Sequence, residues 1–111
     1  MNIRKPADYS VLFSELDKLI AAQLPQMELY REIGRVVSSR AEKGAAVAAS
    51  EHLQVTYPAA EGFSPRNLRR MREFYAAYEE SPEIIRLAMN LGWTQNVAIL
   101  ERCSSNEERA W

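Results

Sequence analysis

The residues that build small metal and redox sites are almost missing from this chain: 111 residues contain one cysteine, Cys103, and one histidine, His52. A single thiol excludes an internal disulfide, and one thiol with one imidazole makes neither a zinc site nor a redox pair, so a reduced compartment is expected. Charge of one sign is missing too. The net charge of -1 excludes a chain that is basic throughout, so any contact with nucleic acid must come from a local patch on a neutral body. No apolar run approaches the length of a bilayer crossing, and Arg4 and Lys5 have no apolar core behind them. A soluble, cytoplasmic protein that keeps away from membranes is the expectation. Internal repeats, low-complexity tracts, Gly-rich phosphate loops and alternating strand patterns are also lacking.

What is present is 47% hydrophobic content, enough for one domain over residues 1–111 that buries about two thirds of its unfolded surface. Apolar spacing predicts an all-α bundle of about five to seven helices. Leu12, Leu16, Leu19, Ile20 and Leu24 recur at three and four residues, with Asp8 as cap, and Pro25 interrupts them. A second helix is expected from Pro25 to Lys43, with Met27, Tyr30, Ile33, Val36 and Val37 inward and Gly44 as its stop. An Ala-rich third helix, from Ala45 to Tyr57, ends at Pro58 and offers Val47, Leu53 and Tyr57 to the core.

The fourth helix has the best-specified start: Ser64 caps, Pro65 takes the first position, and Phe63 with Leu68 forms a hydrophobic staple, although Asn67 stands where a full capping box wants Glu or Gln. It should run to about Glu79. Ser81-Pro82-Glu83 opens a fifth helix with Ile84, Leu87, Ala88 and Leu91 inward. After Gly92, a short helix carries Val97, Ile99 and Leu100. Ser104 with Glu107, or Ser105 with Glu108, spells the capping box of one more helix, scarcely begun at Trp111, which therefore wants a continuation or a partner.

The segment Gly62–Tyr75 holds four arginines and one glutamate, a balance of +3 against -4 for the rest of the chain. At 100 degrees per residue, Leu68, Met71, Phe74, Tyr75 and Tyr78 share a core-facing arc of about 120 degrees. Arg66, Arg69, Arg70 and Glu73 lie opposite, and Arg72 falls on the border. A helix and a turn precede this helix, which is the order of a helix-turn-helix unit, though the connection Pro58–Phe63 is longer than usual. In that arrangement Arg66 and Asn67 are placed to reach base edges, Arg suiting guanine and Asn adenine, Arg66, Arg69 and Arg70 are set to meet phosphates, and Ser64 with the first-turn N–H groups holds a phosphate. Set against this is an arginine-rich face that is merely solvated and neutralised by Glu61, Glu79 and Glu80. Three phosphate contacts would give a salt slope of only about -2.7 in log K, so useful affinity calls for a dimer or a second domain.

Other candidates point to packing. His52 is expected to be structural and Cys103 a small packing residue; Phe74, Tyr75, Tyr78 and Trp93 are expected in the core and not as a base-stacking platform. No carboxylate pair stands out for acid–base work. No cofactor or metal ligand set is expected, and no catalytic residue.

The segment Gly62-Phe63-Ser64, Arg66-Asn67-Leu68, Arg70-Met71-Arg72, Phe74-Tyr75 resembles the signature of the N-terminal domain of YhcG-type nucleases. Tyr30-Arg31-Glu32-Ile33-Gly34-Arg35, Tyr57-Pro58, Leu91-Gly92-Trp93-Thr94 and Asn106–Trp111 are similar to further segments of that family in the same order. The resemblance covers most of the chain from about Glu28. It implies a helical, DNA-binding module that precedes a PD-(D/E)xK nuclease domain in longer relatives, often beside restriction systems. That catalytic domain has no counterpart here, so this chain is expected to be no enzyme by itself. Relatives commonly have Gly-Trp-Gly at Gly44-Ala45-Ala46 and a His at Gln95, which puts any role of those positions in question. Two functions are thus expected: a DNA-binding module, or an interaction module in which the arginine helix or the second helix forms a homodimer or docks on a nuclease or restriction subunit.

Overall fold

A computed structural model describes residues 9–40 and 44–102, and over these the chain is helical with no strand: α1 (Ser10–Ala21), α2 (Gln26–Ser38), α3 (Ala45–Thr56), α4 (Pro65–Tyr78), α5 (Pro82–Met89) and α6 (Trp93–Arg102). The all-α expectation holds. Asp8, Lys43, Cys103 and the capping boxes at Ser104 or Ser105 lie outside the described residues.

The boundaries follow local chemistry with two corrections. α1 ends at Ala21, short of Leu24, because Gln23 takes a left-handed conformation (φ 53°) that breaks the helix before Pro25. α2 ends at Ser38, where Ser39 caps the last carbonyls, and Gly44 opens α3 at its N-cap instead of stopping α2. The start of α4 is as expected: Pro65 sits at its first position and Ser64 Oγ accepts the Asn67 N–H at 3.2 Å.

α4 is the hub. It packs most extensively on α2, and also on α3, α6 and α5. The α2 contact is close because Gly34 has no side chain; a Cβ there would collide with the Met71 carbonyl. Tyr30, Ile33, Val36 and Val37 of α2 join Leu68 and Met71 of α4, Leu53 of α3 and Leu12 and Leu16 of α1 in the main core. A smaller cluster, Phe74, Tyr78, Ile85 and Ala88, docks α5. The expected inner face of α5 is corrected here: Ile85 and Ala88 are buried, whereas Leu87 is 57% and Leu91 37% exposed. A stripe containing Ile84 and Ala88 can turn either way by spacing alone, and the position of Phe74 and Tyr78 decides.

Candidate nucleic-acid interface

The surface that α4 keeps is a ridge. Leu68, Met71, Phe74 and Tyr78 are buried, while Ser64, Arg66, Arg69, Glu73 and Ala76 are exposed. At 100 degrees per residue the exposed helical positions span an arc of about 80 degrees. Arg70 and Arg72 are half-buried at its two edges, and Tyr75 is half-buried beside Gly34. Arg66 and Arg69 make no ion pair with any described residue.

Each expected binding residue can be located on this ridge. Ser64 is exposed, and its oxygen already accepts the Asn67 N–H, which leaves the hydroxyl hydrogen for a ligand. Pro65 has no N–H, so within the first turn the Arg66 N–H is the donor with no partner among the described residues. Arg66 and Arg69 stand one turn apart and face solvent. Arg70 does not stand free with them: its guanidinium donates to Glu101 Oε1 of α6 at 2.6 Å. The helical wheel puts Arg70 outside, but α6 runs along that edge of α4 and brings a carboxylate to it.

Asn67 turns inward. Its Nδ2 donates to the Gly62 carbonyl at 2.6 Å, and its Oδ1 accepts the indole N–H of Trp93 at 2.8 Å. Both ends of the amide are therefore engaged by the scaffold, and the side chain is not extended toward an adenine. Gly62 is needed at this turn on two counts: its φ is +89°, and a Cβ would run into the Tyr30 hydroxyl. Ser50 Oγ and Gln54 Nε2 of α3 both donate to the Phe63 carbonyl, at 2.6 and 2.9 Å, which closes the turn from the other side. Trp93 packs edge-on to Tyr30 at 4.9 Å and to Phe74 at 5.7 Å. Tyr30 of α2, the Gly62–Asn67 turn and Trp93 of α6, three separate parts of the chain, thus form one knot that sets where α4 begins. This knot holds the ridge in place, and Arg66 and Arg69 project from it.

The helix-turn-helix comparison is loose in this geometry. Residues 57–64 separate α3 from α4, longer than the three or four residues usual in that motif.

Elsewhere, His52 ties α3 to α1. Its Nε2 lies 2.8 Å from Asp17 Oδ1, its ring stacks on Phe13 at 4.3 Å, and Tyr57 donates to the same carboxylate oxygen at 2.9 Å. The bond from His52 is the main cause that holds the Asp17 carboxyl below its ordinary range; burial opposes it, and the bond from Tyr57 and the charge of His52 add to the lowering. No group of three or more His, Cys, Asp or Glu among the described residues is placed to hold a metal ion, and no described helix is long and apolar enough to cross a membrane.

The two family departures have structural roles. Ala45 and Ala46 are fully buried, and Gln95 Oε1 accepts the Gly92 N–H at 3.1 Å, the reach-back half of a capping box for α6. Sequence reasoning missed Asp17, Asn96 and Glu101. Asn96 is buried and donates to the Ala88 carbonyl at 2.9 Å, sealing the end of α5; its place between apolar neighbours in a helical stripe is the one signal that marks it.

The family model of the DUF1016 N-terminal domain matches residues 15–111. This family is the N-terminal domain of YhcG-like proteins, in agreement with the resemblance of the Tyr30, Gly62–Tyr75 and Trp93 segments. No curated protein and no solved structure matches the chain.

Proposed function

We propose that this chain, which belongs to the DUF1016 N-terminal domain family, is a DNA-binding module of a nuclease- or restriction-type system that grips duplex phosphates through the ridge of α4 and performs no catalysis itself. The observation that carries the reading is the pair Arg66 and Arg69: exposed, one turn apart, beside a helix N-terminus, without an ion-pair partner among the described residues. Ser64 supplies a hydroxyl donor at the same end. Base reading by Asn67 is left out, since its amide serves the Gly62 turn and Trp93. With two free arginines the expected salt slope is about -1.8 in log K, a weak contact that needs a second copy or a further domain.

The test is fluorescence anisotropy on duplex DNA and on RNA of equal length at several salt concentrations, with an Arg66→Glu/Arg69→Glu variant that keeps its helical circular dichroism. Loss of duplex binding in the variant is expected. Unchanged binding ends the assignment.

A second reading, as a dimerisation or docking module, draws on Leu87 of α5 and Leu91 just beyond it, both exposed. α2, the other candidate for docking, turns its apolar stripe against α4, so α5 is the surface of choice. Light scattering after size exclusion checks it: a Leu87→Lys variant with the same mass as the unaltered chain, both monomeric at high concentration, counts against dimerisation, and pull-down with nuclease or restriction subunits tests docking.

A further inference from the structure

We infer that Glu101 is an autoinhibitory partner of the α4 ridge, withholding Arg70 from phosphate and so limiting the site to two contacts; this rests on the reading of α4 as a phosphate-binding ridge. Arg70 lies one turn beyond Arg66 on the same side of α4, where a third phosphate contact belongs. Its guanidinium instead meets the Glu101 carboxylate at 2.6 Å, with 26% of the arginine side chain and 55% of the glutamate side chain exposed. That charge-assisted bond takes up the Nη2 donor and neutralises the guanidinium that a phosphate oxygen would otherwise meet.

The clasp comes from a part of α6 that is free to let go without undocking the helix. α6 is anchored at its start, by the Trp93 indole on Asn67 and by Asn96 on the Ala88 carbonyl. Glu101 lies two turns further on, and it is the more exposed member of its pair. Exposed pairs of this kind are weak and screened by salt. Rotation of one side chain, or loss of its charge, releases Arg70 to the ridge and leaves the fold standing. Removing the Glu101 carboxylate also changes the net charge of the chain, so its effect must be separated from that of charge alone.

The experiment compares the unaltered chain with Glu101→Gln, Arg70→Gln/Glu101→Gln, Glu83→Gln and Arg66→Glu/Arg69→Glu by duplex-DNA anisotropy between 50 and 200 mM salt, each checked by circular dichroism. Glu101→Gln is expected to bind more tightly at low salt and to steepen the slope from about -1.8 to about -2.7, a further loss of about 3.5-fold across that range. Arg70→Gln in the Glu101→Gln background should restore the shallower slope, and Glu83→Gln, which removes an exposed carboxylate on α5, should leave it unchanged. A Glu101→Gln slope equal to that of the unaltered chain, or a gain that survives Arg70→Gln, overturns the clasp even where Arg66→Glu/Arg69→Glu has lost binding. Undiminished binding in Arg66→Glu/Arg69→Glu brings down the phosphate-ridge reading itself, and the clasp with it.

Discussion

The indole N–H of Trp93 donates to Asn67 Oδ1 at 2.8 Å, and Asn67 Nδ2 in turn donates to the Gly62 carbonyl at 2.6 Å. Two bonds thereby join the start of α6 to the turn that launches α4. Asn67→Ala leaves a half-buried indole donor and a carbonyl without these partners, and the expected destabilisation is about 2 kcal/mol. Urea unfolding followed by circular dichroism measures it. A variant as stable as the unaltered chain would show that Asn67 is free for another role.

Gly34 makes a second sharp prediction, because the atom its missing Cβ would meet is backbone, the Met71 carbonyl, and cannot rotate away. Gly34→Ala must push α2 from α4 and should cost about 1–3 kcal/mol as overpacking. For a domain of this size each kcal/mol lowers Tm by roughly 4–8 °C. Gly62→Ala meets both a positive φ and the Tyr30 hydroxyl, so calorimetry should find it destabilised as well, and a Tm equal to that of the unaltered chain at either site contradicts the close approach.

The rotation of α5 separates two neighbours in sequence. Ile85→Ala removes a buried side chain from the cluster with Phe74 and Tyr78 and is expected to cost about 2–5 kcal/mol. Leu87→Ala, at a position 57% exposed, should stay within about 0.5 kcal/mol. The reverse order in urea midpoints would put α5 back on the face that spacing alone suggests.

Acid should loosen the attachment of α1. The Asp17 carboxyl titrates below its ordinary value of 3.8, chiefly through the hydrogen bond from His52. A depressed folded pKa means that the stabilisation is fully present above the unfolded value and is lost as pH falls through the folded one. Asp17→Asn is therefore expected to be less stable than the unaltered chain at neutral pH, with the difference lost as pH falls through the folded pKa of Asp17. Urea midpoints across that range give the comparison, and a constant difference at all pH values would show that the carboxylate charge is not what holds His52 and Tyr57.

Much of the local structure is legible along the chain. Ser64, Pro65 and the Phe63–Leu68 staple specify the start of α4, Pro82 that of α5, and the spacing of Leu68, Met71, Phe74 and Tyr78 names the buried stripe, because capping and helical periodicity act within a few residues. The residues of the family resemblance could also be read there, but not their work: Tyr30, Gly62, Asn67 and Trp93 reveal themselves as one knot only when α2, α4 and α6 are brought together.

By itself, the sequence determined that the chain is helical, where α4 and α5 start, and that a basic run lies over an apolar stripe. Tertiary structure alone decided which arginines are free. A wheel tells which side of a helix is buried, but the edges of that side belong to whichever neighbour packs there. For α4 that neighbour is α6, whose Glu101, 31 residues away, claims Arg70 and leaves Arg66 and Arg69 to the solvent.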